Sequence, residues 1–244
     1  MPDTKRDIIA QLQKDLLLLQ GYKPPGTLAS TNMGLGSIEK AFPNACFPTG
    51  AIHEFISLET EHAAATSGFV SGLLGNLMRA GKACIWISRS RNLFPPAINF
   101  FGVAPDQIIF IDLQKDKDLL WAMEEALKCE GLAAVVGEID AIDFTASRRL
   151  QLAVEKSRVT GFLLRHRPRI LNTIAGVARW KITPLPSETE DGMPGVGFPH
   201  WKVELLKVRN GKPGCWQVQW PATHFQHTYT AITAKEEEQV RKTG

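Results

Sequence analysis

From residue 51 onward the chain alternates short apolar runs with amphipathic, helix-forming stretches, and this rhythm restricts the fold more than any other feature. Runs that read as strands lie at 51–57, 83–88, 108–112, 132–138 and 161–165. Between them the spacing predicts helices over 64–80, near Pro95-Pro96, over 116–130 and over 144–158. Gly81 and Gly131 close two of these helices, and proline suits a helix's first turn. Strands that are apolar throughout, rather than alternating, are covered on both faces, and helical crossovers make their neighbours parallel. Past residue 170 the rhythm changes. A strand over 177–183 is followed by a loop over 184–199 rich in Pro, Gly and acids. Strands over 200–208 and 214–220 then flank Asn210-Gly211, a strong hairpin signal. The expected class is α/β: a mostly parallel sheet flanked by helices, with antiparallel C-terminal strands and an N-terminal helix.

That leading helix is read from Ile8, Ile9, Leu12, Leu16 and Leu19, and Pro24-Pro25-Gly26 separates it from the rest of the chain. The organisation expected is therefore helix and linker over 1–26, core over 27–221 and tail over 222–244. No apolar stretch approaches the roughly 20 residues needed to cross a bilayer. Lys14 and Asp15 interrupt the only leader-like run, so no membrane partner and a cytoplasmic location, beside the nucleoid, are expected. Cys46, Cys84, Cys129 and Cys215 form no C-x-x-C pair and read as buried or half-buried free thiols. His224 and His227 are the one close His pair, and they lack the further ligands a metal site needs.

Charge is distributed unevenly under a net of +3. Residues 1–143 hold 12 Lys/Arg against 17 Asp/Glu, whereas residues 144–212 hold 13 against 5. Such asymmetry suits a basic face toward nucleic acid or an acidic partner, and equally suits basic residues spread over helix and strand exteriors.

In a parallel α/β sheet, ligands bind beyond the carboxyl ends of the strands. A phosphate cradle at the first strand-to-helix turn would read Gly-x-x-x-x-Gly-Lys-Ser/Thr, in which backbone amides wrap phosphates and the lysine neutralises them. Here that stretch runs from Ser57 to Ala65 with no glycine, no lysine, and carboxylates at Glu59 and Glu61. Neither ATP nor any other cofactor is expected, and catalysis is not.

At these positions the chain resembles RecA-type recombinases, beginning with Gly50-Ala51-Ile52-His53-Glu54-Phe55 and the helix and strand ending at Ile87. More specifically it resembles the ImuA family, RecA-like proteins of bacterial mutagenesis cassettes. The resemblance is carried by Leu120-Trp121-Ala122-Met123-Glu124-Glu125-Ala126-Leu127-Lys128, by 148–155, by 161–165 and by 203–214, and it covers about residues 27–220. Matched position by position, the recombinase lysine falls on Ala63 and the following Ser/Thr on Ala64. The general-base glutamate falls near Ser90, and the metal-binding aspartate on Gly137 or Glu138. The resemblance thus implies a RecA-like fold with a dismantled nucleotide site. It implies an adaptor in SOS-induced translesion synthesis, working beside a Y-family-like DNA polymerase subunit of the ImuB type. RecA and a specialised replicative-type polymerase are further partners it suggests.

In recombinases the DNA-contacting loops follow the fourth and fifth core strands. Here the fifth strand runs into Arg165-His166-Arg167-Pro168-Arg169, a cationic cluster suited to phosphates. Arg148, Arg149 and Arg158 lie on or beside the preceding helix and, unless these arginines instead pair with acids or meet a protein surface, could extend the patch. The alternative function is therefore a single-stranded-DNA-binding module using segment 144–212. Against it, Trp180 and Trp201 are the only nearby tryptophans for base stacking.

Overall fold

The computed structural model describes residues 33–90, 93–187, 197–221 and 223–228, together with Lys5, Ile8, Ile9, Gln11, Leu12, Asp15 and Leu16. Among them, nine strands form one sheet: β1 (Ile52–Ser57), β2 (Cys84–Ser88), β3 (Ile108–Asp112), β4 (Ala134–Glu138), β5 (Thr160–His166), β6 (Ala178–Pro184), β7 (His200–Val208), β8 (Gly214–Gln219) and β9 (Gln226–His227). Their order is β3-β2-β4-β5-β1-β6-β7-β8-β9. Every pair from β3 to β6 is parallel, and β6 through β9 are antiparallel. The α/β reading of the sequence holds in both halves.

Helix α1 (Thr60–Leu77) covers one face of the sheet, and α2 (Asp116–Leu127) with α3 (Phe144–Ser157) covers the other. This divides the apolar interior into two clusters. On the α1 side, Met33, Leu35, Ile38 and Phe47 come from the segment before β1 and are buried with Phe55, Phe69, Trp86 and Trp180. On the other side Leu119, Met123 and Leu127 of α2 meet Leu150 and Val154 of α3 over Val135 and Leu163. Helix α3 starts at Asp143, whose Oδ1 accepts the backbone N–H of Ala146 at 2.6 Å and so satisfies one of the helix's free amides. Helix α1 carries Gly72 and Gly75 in its interior, residues that weaken an isolated helix. Here they admit close neighbours: a Cβ on Gly72 would stand 2.7 Å from the Phe225 ring, and one on Gly75 2.5 Å from the Phe101 carbonyl oxygen.

Several expectations need adjusting. Helix α1 begins at Thr60 rather than at residue 64. The helix near Pro95 is a 3-10 helix, Pro95–Phe101. The core runs past residue 221, because Phe225 is buried against Trp220 and Phe69 while β9 pairs with β8. His227 is committed to this closure through Ser37 and the Leu35 carbonyl. The β7–β8 connection is wider than a two-residue turn: the last pair is Leu205 with Gly214, and Asn210 takes a left-handed φ of 56°. All four cysteines are free, but Cys129 is exposed rather than buried. Ile8, Ile9, Leu12 and Leu16 are helical and exposed, while the rest of the helix read over 8–19 lies outside the described residues. Among the described residues, no helix is long and apolar enough to cross a membrane.

Candidate functional site

The strand order places the carboxyl ends of β1, β2, β4 and β5 side by side, where a doubly wound sheet binds its ligand. A cleft of about 740 Å³ opens there, within the range of small-molecule sites. Ala63, Ala64, Ser90 and Glu138, four residues scattered over 75 positions of sequence, all line it. The site inferred from the sequence is thus brought together in space, and its content is what differs from a phosphate cradle.

The strand-to-helix turn is the clearest case. Strand β1 ends at Ser57 and α1 begins at Thr60, so only Leu58 and Glu59 connect them. A loop that wraps phosphates needs several residues outside helical geometry, and here the chain is already helical where that loop would run. Ala63 and Ala64 come next inside the helix, offering methyl groups. Glu59 sits at the helix N-cap position without a side-chain capping bond, and Glu61 lies in the first turn. Both carboxylates complement the positive end of the helix dipole that a phosphate would otherwise use.

Glu138 ends β4 yet is largely withdrawn from solvent. Its side chain is 8% exposed, Oε1 accepts the Trp86 indole N–H at 2.8 Å, and Oε2 lies 3.7 Å from Nε2 of His166. Ser90 is exposed beside Arg89, whose guanidinium pairs with Asp116. Phe101, Ile98 and Trp201 supply an apolar wall. If the missing lysine and hydroxyl alone prevented nucleotide binding, restoring them would recover it. We expect instead that Ala63→Lys combined with Ala64→Thr shows no saturable Mg-ATP binding by calorimetry, because the two-residue turn leaves no loop to close around phosphates. Micromolar binding by the double variant would show that side chains, not backbone, had been limiting.

The arginines do not form one patch. Arg165 is 2% exposed and is corrected from a surface cation to a buried one. Its Nη1 donates to Glu54 Oε1 at 2.8 Å, its Nε to the Asp140 carbonyl at 3.1 Å, and its Nη2 to the Ile170 carbonyl at 3.0 Å. Arg158 comes just after α3 and packs its backbone on Gly50, at the opposite end of the sheet from Arg167. Arg149 pairs with Glu124 at 2.5 Å, and Arg148 stands 3.6 Å from Glu155. Of the cluster spanning 165–169, Arg167 and Arg169 alone remain at the carboxyl edge as exposed cations. Trp180 and Trp201 are buried, at 0% and 3%, and present no ring for a base to stack on.

Sequence reasoning missed the polar knot at the centre of the fold. Glu54 lies on β1, buried on both faces, and its Oε2 accepts from Arg179 Nε at 2.5 Å while Oε1 holds Arg165. Arg179 in turn donates to the Asn172 carbonyl at 2.6 Å, and the Asn172 amide to the Ile142 carbonyl at 2.6 Å. The loops after β4 and β5 are thereby tied to each other and to β1. The signal was present: His53-Glu54 interrupts an otherwise apolar strand, and polar residues there need buried partners.

No protein-family model matches the chain. Over 226 residues it is 35% identical to Protein ImuA from two strains of Caulobacter vibrioides, an alignment spanning 87% of this chain and 92% of the relative. Among solved structures it is similar in fold to the RadB recombinase, with a TM-score of 0.55 at 13% identity, over 80% of this chain and 100% of that one. SulA from Pseudomonas aeruginosa matches 47% of this chain and 97% of its own at 14% identity, with a TM-score of 0.41.

Proposed function

The chain belongs to the ImuA family, and we propose that it acts in error-prone DNA repair as a non-catalytic RecA-like adaptor, binding a Y-family-like polymerase subunit of the ImuB type during SOS-induced translesion synthesis. The observation that carries this reading is the two-residue turn between β1 and α1. A recombinase switch depends on a phosphate cradle at that turn to couple nucleotide state to shape. Without the cradle, the fold retains surfaces and edges for partners but no cycle to drive them. RecA and a specialised replicative-type polymerase are additional partners under this proposal.

The test is capture of the polymerase subunit by the purified full chain, with and without nuclease. An adaptor retains the subunit after nuclease treatment. Loss of capture on nuclease treatment would mean that DNA bridges the two proteins and would move the function to nucleic-acid binding. No capture in either condition would sink the adaptor reading.

A further inference from the structure

The nucleotide-type cleft meets a second groove at Arg89, Asp140 and Arg167. This groove, of about 800 Å³, lies along the loops after β4 and β5. Its charges are unequal in how they are held. Asp116 pairs with Arg89, Asp140 Oδ1 accepts the backbone N–H of His166 at 2.9 Å, and Asp143 caps α3. Arg165 is neutralised from beneath by Glu54. Among the described residues Arg167 donates to the neutral hydroxyl of Thr60 at 2.9 Å and pairs with no carboxylate, and Arg169 meets none either. Arg167 also holds a left-handed φ of 49°, a conformation L residues adopt at a cost, fixed by its backbone N–H donating to the Ser57 carbonyl at 2.7 Å.

Apolar side chains stand beside these cations. Ile170 lines the groove and is 74% exposed, and its neighbour Leu171 is 51% exposed. Phe144, next to the groove-lining Asp143, is 56% exposed. Leu120 and Ile142 line the interior. An exposed Ile170 next to two guanidinium groups that pair with no carboxylate among the described residues is a surface short of a partner. The knot of Glu54, Arg165, Arg179 and Asn172 fixes both loops, so an incoming chain would not have to order them.

We propose that this groove docks an acidic peptide segment of a partner protein, with aliphatic or aromatic side chains against Ile170 and Leu120 and carboxylates on Arg167 and Arg169. A peptide can space its carboxylates to meet two cations. A nucleic-acid strand carries a charge at every phosphate and would run past Asp116, Asp140 and Asp143. The proposal rests on the adaptor reading and names where a partner sits.

Its test uses short random peptides displayed on phage, selected against the full chain and then measured against Arg167→Ala/Arg169→Ala and, separately, Ile170→Asp. All three positions are exposed, and matched thermal melts verify that the variants fold. The expected peptides combine Asp and Glu with Leu, Ile or Phe, and each variant weakens them about tenfold or more. Selection without acidic bias, or peptides that bind parent and variants alike, overturns the proposal. Oligo-dT bound in place of any acidic peptide, and released by the same substitutions, would assign the groove to nucleic acid. The selection requires no polymerase subunit, so a chain that captures the subunit but selects no acidic peptide loses the groove and keeps the adaptor role.

Discussion

Replacing Glu54 with Leu is expected to destabilise the protein by about 3–5 kcal/mol, enough to unfold a marginal domain. The carboxylate is 1% exposed and is the shared acceptor of two guanidinium groups, Arg165 at 2% and Arg179 at 18% exposure. Removing it leaves Arg165 buried with its charge, and arginine cannot escape by losing a proton as a buried lysine can. The remaining acceptors, the Asp140 and Ile170 carbonyls, satisfy hydrogen bonds but not the charge. Substituting both partners should be milder than the single change, because an apolar pair of similar volume removes the charge along with its partner. Glu54→Leu/Arg165→Met should therefore recover a substantial part of the loss. Urea unfolding of the parent, both singles and the double measures the coupling, and hydrogen exchange over 167–177 reports whether the loop is released. A Glu54→Leu cost below about 1 kcal/mol would show that water reaches Arg165 and that the knot does not hold the two loops.

Hydrophobic periodicity set the limit on how much of this molecule was legible in its sequence. Strand β3 could be read to the residue, and β7 likewise, because burial on one or both faces is written locally in residue order. The start of α1 differs by four residues from the periodicity's prediction, and the difference matters, since the later start leaves room for a loop that does not exist. Thr60, Glu61 and His62 give no apolar stripe, and periodicity cannot distinguish a polar helical turn from a loop. The convergence of Ala63, Ala64, Ser90 and Glu138 could be anticipated because parallel strands end on the same side of a sheet. The fate of Arg165 could not. Its partner lies 111 residues away on a neighbouring strand, and nothing in Arg165-His166-Arg167-Pro168-Arg169 marks which guanidinium turns inward. Alternation along a strand would point all three arginines the same way, but β5 ends at His166, and the left-handed φ of 49° at Arg167 turns the chain so that Arg167 and Arg169 leave the face Arg165 occupies. Arg158 is hidden differently: the 14-residue α3 carries the chain about 21 Å, from the carboxyl end of β4 back to the amino end of β5.

A second large effect belongs to His53, and it makes stability fall with acid. The ring is fully buried on β1, stacked on Phe47 with centroids 4.3 Å apart. Its Nε2 faces the Pro48 carbonyl at 2.7 Å, and its Nδ1 accepts the Trp180 indole N–H at 3.3 Å. Both ring nitrogens are thus satisfied in the neutral tautomer with its proton on Nε2, whereas a second proton on Nδ1 would set two donors against each other. Burial pushes the pKa down from 6.5 to about 4, and the Pro48 carbonyl opposes this only in part. In the unfolded chain the histidine takes up its proton near 6.5, so between that pH and about 4 the unfolded state binds a proton the folded state refuses. The stabilising difference is fully present above 6.5 and lost as the pH approaches 4, for a total of about 3 kcal/mol. Urea unfolding across this range should show that slope, and His53→Gln should flatten it, because glutamine offers an amide and a carbonyl to the same two partners without titrating. An NMR titration provides the independent check: a His53 ring signal that moves with a midpoint near 6.5 in the folded protein would mean that water reaches the strand and that this burial does not govern its acid stability.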